Sequence, residues 1–213
     1  MEYARGRGTA VLVPVGGERY FHAFMRDVSE QRRMSEQLHF RATHDFLTGL
    51  PNRYEFMGRL QHAIDATGRE PRPVVLLFID LDGFKEVNDL CGHETGDAVP
   101  IAFGRRLADS VRRTDEVARR AGDEFVVLLD HLHEPWQDAA QVVDKILQAS
   151  SQPYPELAGR TEPGATIGMA LLRAGESADK LLSRADAAMY VAKNAGKNRV
   201  AFERDGQWVV RGV

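Results

Sequence analysis

The run "PVVLLFIDLD" at residues 73–82 limits the possible folds more than any other part of the chain. Its apolar core is continuous rather than alternating, so it reads as a strand buried on both faces, and it is far too short to cross a bilayer. The run then ends in two carboxylates, Asp80 and Asp82, which at spacing two share one face of a strand. An ionised group at the end of a buried strand needs a counter-charge, because an unpaired buried charge is costly. Asp82 has an ordinary explanation as the cap of a short helix over "GFKEVND". Asp80 has none, and is the first candidate for chemistry.

Around this strand the pattern alternates between helical and extended segments. Helices are predicted over "RLQHAIDAT", ending near Gly68, and over "DAVPIAFGRRLADSVRR", where Pro100 is tolerable only in the first turn. Further helices are predicted over "QDAAQVVDKILQAS" and over "SADKLLSRADAAMYVAKNAGKN", the last stopped by Gly196. Strands are predicted over "EVARR", "EFVVLL", "GATIGMALL" and "RVAFE", giving an α/β domain of sandwich type.

Ahead of this domain, "AVLVPVGGERYFHAFMR" (residues 10–26) reads as two strands about Gly16-Gly17, a hairpin too small to stand alone. Its aromatics, Tyr20, Phe21 and Phe24, either pack on the main domain or belong to the end of an upstream sensor domain; we favour the second. Residues 27–44 read as a helix begun by Asp27 and Glu30, with Met34, Leu38 and Ala42 as a narrow apolar stripe. That stripe suits a surface helix or one that pairs with its own copy. The organisation expected is a sensor fragment over 1–26, a linker helix over 27–44, the main domain over 45–204 and a tail over 205–213.

Between "EVARR" and "EFVVLL" stand Ala121-Gly122 and then Asp123-Glu124, so a hairpin carries carboxylates at its tip. If this hairpin neighbours the buried strand, Asp80 and Asp123 converge at one sheet edge. Oxygen ligands of this kind suit Mg²⁺ or Mn²⁺ rather than zinc. Spacing alone leaves an ion-paired turn equally open. Lys85, and Lys193 and Lys197 four apart at the end of the last long helix, supply cations for phosphates. Asn88 and Asp97 have the donors and acceptors to read a base edge. Together these describe a nucleoside triphosphate site.

Four segments, "DFLTGLPNR" (45–53), "FIDLDGFKEVNDLCGHETGD" (78–97), "RRTDEVARRAGDEF" (112–125) and "ADAAMYVAKNAGKNR" (185–199), resemble in order the GGDEF domain of diguanylate cyclases. The resemblance implies a fold like that of nucleotidyl cyclases and polymerase palms, with a central, mostly antiparallel five-stranded sheet flanked by helices. The upstream fragment is expected to be PAS-like. The implied reaction joins two GTP molecules into cyclic di-GMP and releases pyrophosphate, with Mg²⁺ or Mn²⁺ as cofactor, across a homodimer in which each protomer holds one GTP. By the resemblance, Asp80 and Asp123 are metal carboxylates and Leu81 offers a backbone carbonyl. Glu124 lies beside the reacting ribose hydroxyl. Asn88 and Asp97 read guanine, Phe84 belongs to the substrate site, and Lys85, Lys193 and Lys197 contact phosphates. Arg112 and Asp115 form the RxxD pair that binds cyclic di-GMP as inhibitor.

The signature here is "AGDEF", with Ala121 where the family has glycine; if that position needed a positive φ, alanine would cost about 1–2 kcal/mol. That departure leaves room for a second class of function, a GTP- or cyclic di-GMP-binding module without turnover. A purely structural dimerisation domain would leave the acidic and basic residues without a purpose. The net charge of −3 gives no support to a nucleic-acid surface. A single cysteine, Cys91, excludes an internal disulfide framework, fits a reducing compartment and reads as a small buried thiol. With no apolar leader or span in the sequence, the chain reads as cytoplasmic. His131 and His133 are expected to face solvent, and His93 to order its loop.

Overall fold

The computed structural model describes the backbone of residues 7–15 and 18–212, with side chains from residue 27 onward. The chain divides into two units, Met1–Ala42 and Thr43–Val213. In the first, β1 (Arg7–Val15) and β2 (Glu18–Arg26) pair antiparallel in continuous register. The Gly16-Gly17 turn and the side chains of Tyr20, Phe21 and Phe24 lie outside the described residues. Helix α1 (Ser29–Thr43) follows, its first bond running from the Arg32 amide to the Val28 carbonyl, so Asp27 stands one residue before the N-cap and its carboxylate accepts the Ser29 amide at 2.8 Å. Met34 and Leu38 are more than half exposed, so the apolar stripe of α1 is open.

The second unit is a six-stranded sheet with helices on both faces. Its order is β4 (Glu116–Ala121), β5 (Glu124–Leu129), β3 (Val75–Leu81), β6 (Ala165–Leu171), β7 (Arg199–Arg204) and β8 (Gln207–Gly212). Only β6 and β7 run parallel. The expected five-stranded sheet therefore gains a sixth strand. Residues 205–212 do not trail off: Asp205 and Gly206, both at positive φ, turn the chain back so that β8 pairs along β7. The turn signal is a plain Asp-Gly, the strongest short hairpin cue in the tail.

Strand β3 is buried at every position. Val75, Leu77, Ile79 and Leu81 face a core shared with α3 (Phe84–Cys91), α4 (His93–Ser110) and α5 (Pro135–Ser150). Leu76 and Phe78 face a second core with α2 (Arg53–Thr67) and α6 (Ala178–Asn194). The strand's period of two thus sorts one apolar run into two cores, which is why it shows no alternation in sequence. Helix α4 begins at His93, four residues before the predicted start, so Pro100 stands in the helix interior. Its missing N–H leaves the carbonyl of Gly96, one turn earlier, without its helical partner.

Helix α6 sits directly on β6 at Gly168. A Cβ there would lie 1.9 Å from the Ala185 carbonyl oxygen and 2.2 Å from the Met189 amide nitrogen, both helix backbone. Gly168→Ala is expected to cost about 3 kcal/mol or more, because a rigid helix must lift off the sheet. Gly58→Ala, in α2 with open space at the Cβ, is expected to gain about 0.5–1 kcal/mol. Urea unfolding of the wild type and both variants checks the contrast.

Candidate active site

The parity that sends Leu76 and Phe78 toward α6 carries on to Asp80, which is 7% exposed. It therefore meets the end of α6, where Lys193 Nζ lies 2.8 Å from its carboxylate. Antiparallel pairing places Glu124 directly across from Asp80, on the same face. The Leu81 amide donates to the Asp123 carbonyl at 3.1 Å, which docks the β4–β5 turn against the end of β3. Burial is the main force pushing the Asp80 carboxyl up, to about 6; the Lys193 contact opposes this, while the nearby charges of Asp123 and Asp82 add to it. Asp123 thus lies near Asp80 at the end of the central strand β3, with Glu124 beside them. Arg120 pairs with Glu124 at 2.6 Å and lies over the Phe78 ring.

The turn itself accommodates the unusual signature. Gly122 carries the positive φ, +46°, whereas Ala121 ends β4 outside that region. The feared strain at Ala121 is absent because the left-handed residue is its neighbour. Beneath the turn the buried Arg119 donates to the Gly122 carbonyl from Nε and Nη2, at 2.9 and 2.7 Å, and to Asp45 Oδ1 from Nη1 at 2.9 Å. Burial pushes the Asp45 carboxyl up, but hydrogen bonds from Thr48 and Arg119 outweigh it and hold it below the usual range. "DFLTGLPNR" is therefore the prop of the signature turn. Neither Asp45 nor Arg119 was identified from sequence, since the two lie far apart in the chain and each reads locally as an ordinary turn or strand charge.

The elbow at Gly92, which ends α3 and starts α4, folds Gly96 back against Asn88, with Asp97 next in the chain. A Cβ at Gly96 would sit 2.0 Å from Asn88 Oδ1, so glycine next to Asp97 is what leaves room for the Asn88 amide. Phe84 opens α3, half-buried against the larger core, and Lys85 follows it, exposed. Cys91 is half-buried at the same core rather than fully enclosed. Arg112 is exposed, while Asp115 is 9% exposed. The two close a tight turn, Asp115 Oδ2 accepting the Arg112 amide at 2.8 Å and the Asp115 amide returning to the Arg112 carbonyl. Burial raises the Asp115 carboxyl, whose Oδ1 is buried without a partner.

Two expectations are corrected. Lys197 does not share a helical face with Lys193: α6 ends at Asn194, and Lys197 lies in the following turn at φ +60°. Asp82 does not cap α3; Gly83, at φ +75°, takes that place with no side-chain hydrogen bond. The Asp82 carboxylate instead accepts from Thr166 and from the Asn198 amide. His131 and His133 are exposed, as expected.

Among the described residues no three carboxylate, imidazole or thiolate side chains form a ready-made metal cluster. The site nonetheless fits a hard divalent cation. A carboxylate raised by burial first, and then by its acidic neighbours, gains from a cation placed beside it, and such ions commonly use one or two carboxylates plus substrate phosphates. Clefts of about 290 and 600 Å³ lie elsewhere, lined by residues such as Arg59 and Arg72, and contain none of Asp80, Asp123 or Glu124. Charge, not volume, marks the candidate site.

A mostly antiparallel sheet carries a buried aspartate on a central strand, an acidic hairpin turn beside it and a lysine at the end of the facing helix. The family model "Diguanylate cyclase, GGDEF domain" matches residues 42–199, and the chain belongs to that family. It is 43% identical over 171 residues to the bifunctional diguanylate cyclase/cyclic di-GMP phosphodiesterase MucR of Pseudomonas aeruginosa, covering 80% of this chain and 25% of MucR. It is 37% identical over 193 residues to the diguanylate cyclase DgcM of Escherichia coli K12, covering 88% of this chain and 45% of DgcM. The chain thus spans less than half the length of these relatives. The coiled coil and GGDEF domain of DgcB from Caulobacter crescentus, solved in complex with c-di-GMP, superposes with a TM-score of 0.75 at 28% identity, covering 83% of this chain and 93% of that one.

The raised Asp80 carboxyl has a stability consequence. Its folded pKa exceeds its unfolded value, so the native state holds the extra proton between about pH 4 and 6, and stability falls as pH rises through that window. Above it the metal-free protein carries a penalty of about 3 kcal/mol before solvent screening, which reduces it. Asp80→Asn is expected to be more stable than wild type at pH 8 in EDTA, with the difference closing by pH 4; equal denaturation midpoints at pH 8 would overturn this.

Proposed function

We propose that this chain is the catalytic domain of a diguanylate cyclase, acting in the cytoplasm and condensing two GTP into cyclic di-GMP with release of pyrophosphate. The observation that carries this reading is the meeting of Asp80, Asp123 and Glu124 at the end of β3, opposite Lys193, inside the segment that matches the family. Asp80 and Asp123, with the Leu81 carbonyl, would hold Mg²⁺ or Mn²⁺. A bound ion of this kind neutralises triphosphate charge and polarises the α-phosphorus.

The remaining work belongs to the chain's own groups. Lys193 is within reach of the same strand end and, with Lys85 and Lys197, binds phosphate oxygens. Asn88 and Asp97 read the guanine edge, with Phe84 closing the apolar side of the site. Glu124, steadied by Arg120, accepts the proton of the attacking 3′-hydroxyl. Each site holds one GTP, so two copies face each other antiparallel to bring the hydroxyl of one nucleotide in line with the phosphorus of the other; positioning is the principal contribution. Pairing through α1 raises the effective concentration of the two half-sites, and β1–β2 is the tail of a PAS-like sensor. Ala121 stands outside the positive-φ region, so backbone strain there gives no support to a binding-only module.

Incubation with GTP and Mg²⁺ is expected to yield pyrophosphate and cyclic di-GMP, and Asp123→Asn to abolish both. Gly96→Ala should fold yet weaken GTP binding about tenfold, the worth of one displaced hydrogen bond at Asn88. Binding without turnover by the wild type would sink the enzymatic reading.

Arg112 and Asp115 are assigned to product inhibition. The exposed Arg112 guanidinium can grip a phosphate or stack on a base, while the buried Asp115 carboxylate holds the Arg112 backbone in place. Arg112→Ala is expected to keep the initial rate while losing inhibition by added cyclic di-GMP; the same inhibition curve for both proteins would remove the assignment.

A further inference from the structure

Asp82 lies two residues beyond Asp80 and has the composition of a third metal ligand, but its surroundings give it other work. Thr166 Oγ1 lies 2.8 Å from both of its carboxylate oxygens, and the Asn198 amide donates to Oδ2 at 2.9 Å. Both oxygens are thereby engaged by donors of the protein itself. The same Asn198 amide lies 3.1 Å from Thr166 Oγ1, so aspartate, threonine and amide form a closed triangle. Thr166 is fully buried and stands across from Asp80 in the β3–β6 register. The backbone closes the same junction, the Asp82 amide donating to the Gly164 carbonyl at 3.0 Å. A Cβ at Gly164 would come within 3.3 Å of Asn198 Oδ1, so the chain approaches closely there as well.

What this triangle holds is a strained segment. Gly196, Lys197 and Asn198 have φ of +118°, +60° and +46° in succession, and two of the three are not glycine. Residues held in this region persist only when their surroundings over-determine them. The helix cap holds its near side, the Gly196 amide donating to the Lys193 carbonyl at 3.2 Å and the Lys197 amide to the Ala192 carbonyl at 3.3 Å; its far side is held by Asp82 and Thr166 at Asn198, and by Arg199 Nε donating to the Lys197 carbonyl at 2.7 Å. The turn takes Lys197 off the end of α6 and leaves its side chain exposed. A helical continuation would have carried it elsewhere.

We propose that Asp82 is a positioning residue: with Thr166 it clamps the turn at 196–198 so that Lys197 is presented to the triphosphate, and it does not ligate the metal. This rests on the phosphate-binding role given to Lys197 above. Binding energy is lost when the clamp opens, because Lys197 must then be ordered at each encounter.

The test compares wild type, Asp82→Ala, Thr166→Val, Thr166→Ser, Lys197→Ala and the Thr166→Val/Lys197→Ala pair. Two measurements are made on the full chain: amide hydrogen exchange at Asn198, and calorimetric affinity for GTP with Mg²⁺. Thr166→Val keeps the net charge of the site, so its effect reports the loss of the hydroxyl's hydrogen bonds to Asp82 and not the loss of a charge. The expected result is faster Asn198 exchange in Asp82→Ala and Thr166→Val, with Thr166→Ser like wild type. GTP affinity is expected to fall about tenfold in Asp82→Ala. Thr166→Val should fall less, and should cost nothing further in the Lys197→Ala background, since coupled residues fail to add. Unchanged Asn198 exchange overturns the clamp. Full additivity with Lys197→Ala, or a Thr166→Val protein altered only in its Mg²⁺ requirement, overturns the link to Lys197. A wild type that binds no GTP overturns the proposed function and the phosphate role together, while the exchange data still decide whether Asp82 holds the turn.

Discussion

Everything at the site depends on one carboxylate standing at the end of a strand that is buried on both faces. Such a strand has no solvent side on which to place a charge. Asp80 continues the row of Leu76 and Phe78 into the α6 side of the sheet, where Lys193 meets it at 2.8 Å. The Lys193 contact does not offset the desolvation, for the carboxyl remains raised to about 6. A group left in that condition is poorly satisfied by its own protein and well suited to a cation delivered with a ligand. The domain accepts an unfavourable charge at its centre and recovers the cost only when something binds.

Around this charge the site is assembled from four distant stretches, and small residues decide how closely they meet. Gly168 lets the α6 backbone lie on β6, bringing Lys193 down to the sheet. Gly96 leaves the volume that the Asn88 amide fills. Gly122 takes the left-handed conformation that turns β4 into β5 and leaves Ala121 unstrained. Arg119 then ties that turn to Asp45, whose loop is closed on itself by the Thr48 hydrogen bonds. Each contact is short range, but the segments joined are far apart in sequence, so the site exists only once the whole unit has folded.

The legibility of these residues followed from how local their signals were. Asp80 stood out because a charge interrupts an apolar run, and Asp123 because carboxylates sit beside glycine between two strands. Lys193 was legible from its place at a helix end. Lys197 was misplaced because spacing four implies one helical face only while the helix lasts, and α6 stops at Asn194. Asp82 was misread because a carboxylate ahead of a helix usually caps it, whereas the partners that claim it are Thr166 and Asn198, 84 and 116 residues away. The sixth strand was missed because β8, exposed along its length, carries little of the burial pattern on which strand reading relies.

The amino-acid order by itself determined most of the strands and helices, the two-faced burial of β3, and the acidic, basic and amide residues from which a nucleotide site could be made. These follow from period, volume and turn chemistry, which act over a few residues. Tertiary structure alone decided which charges face one another: Lys193 with Asp80, Arg120 with Glu124, Arg119 with Asp45, and Asp82 with the turn that carries Lys197. Pairing of this kind is set by strand order and by how closely a helix can approach a sheet, and no local propensity encodes either.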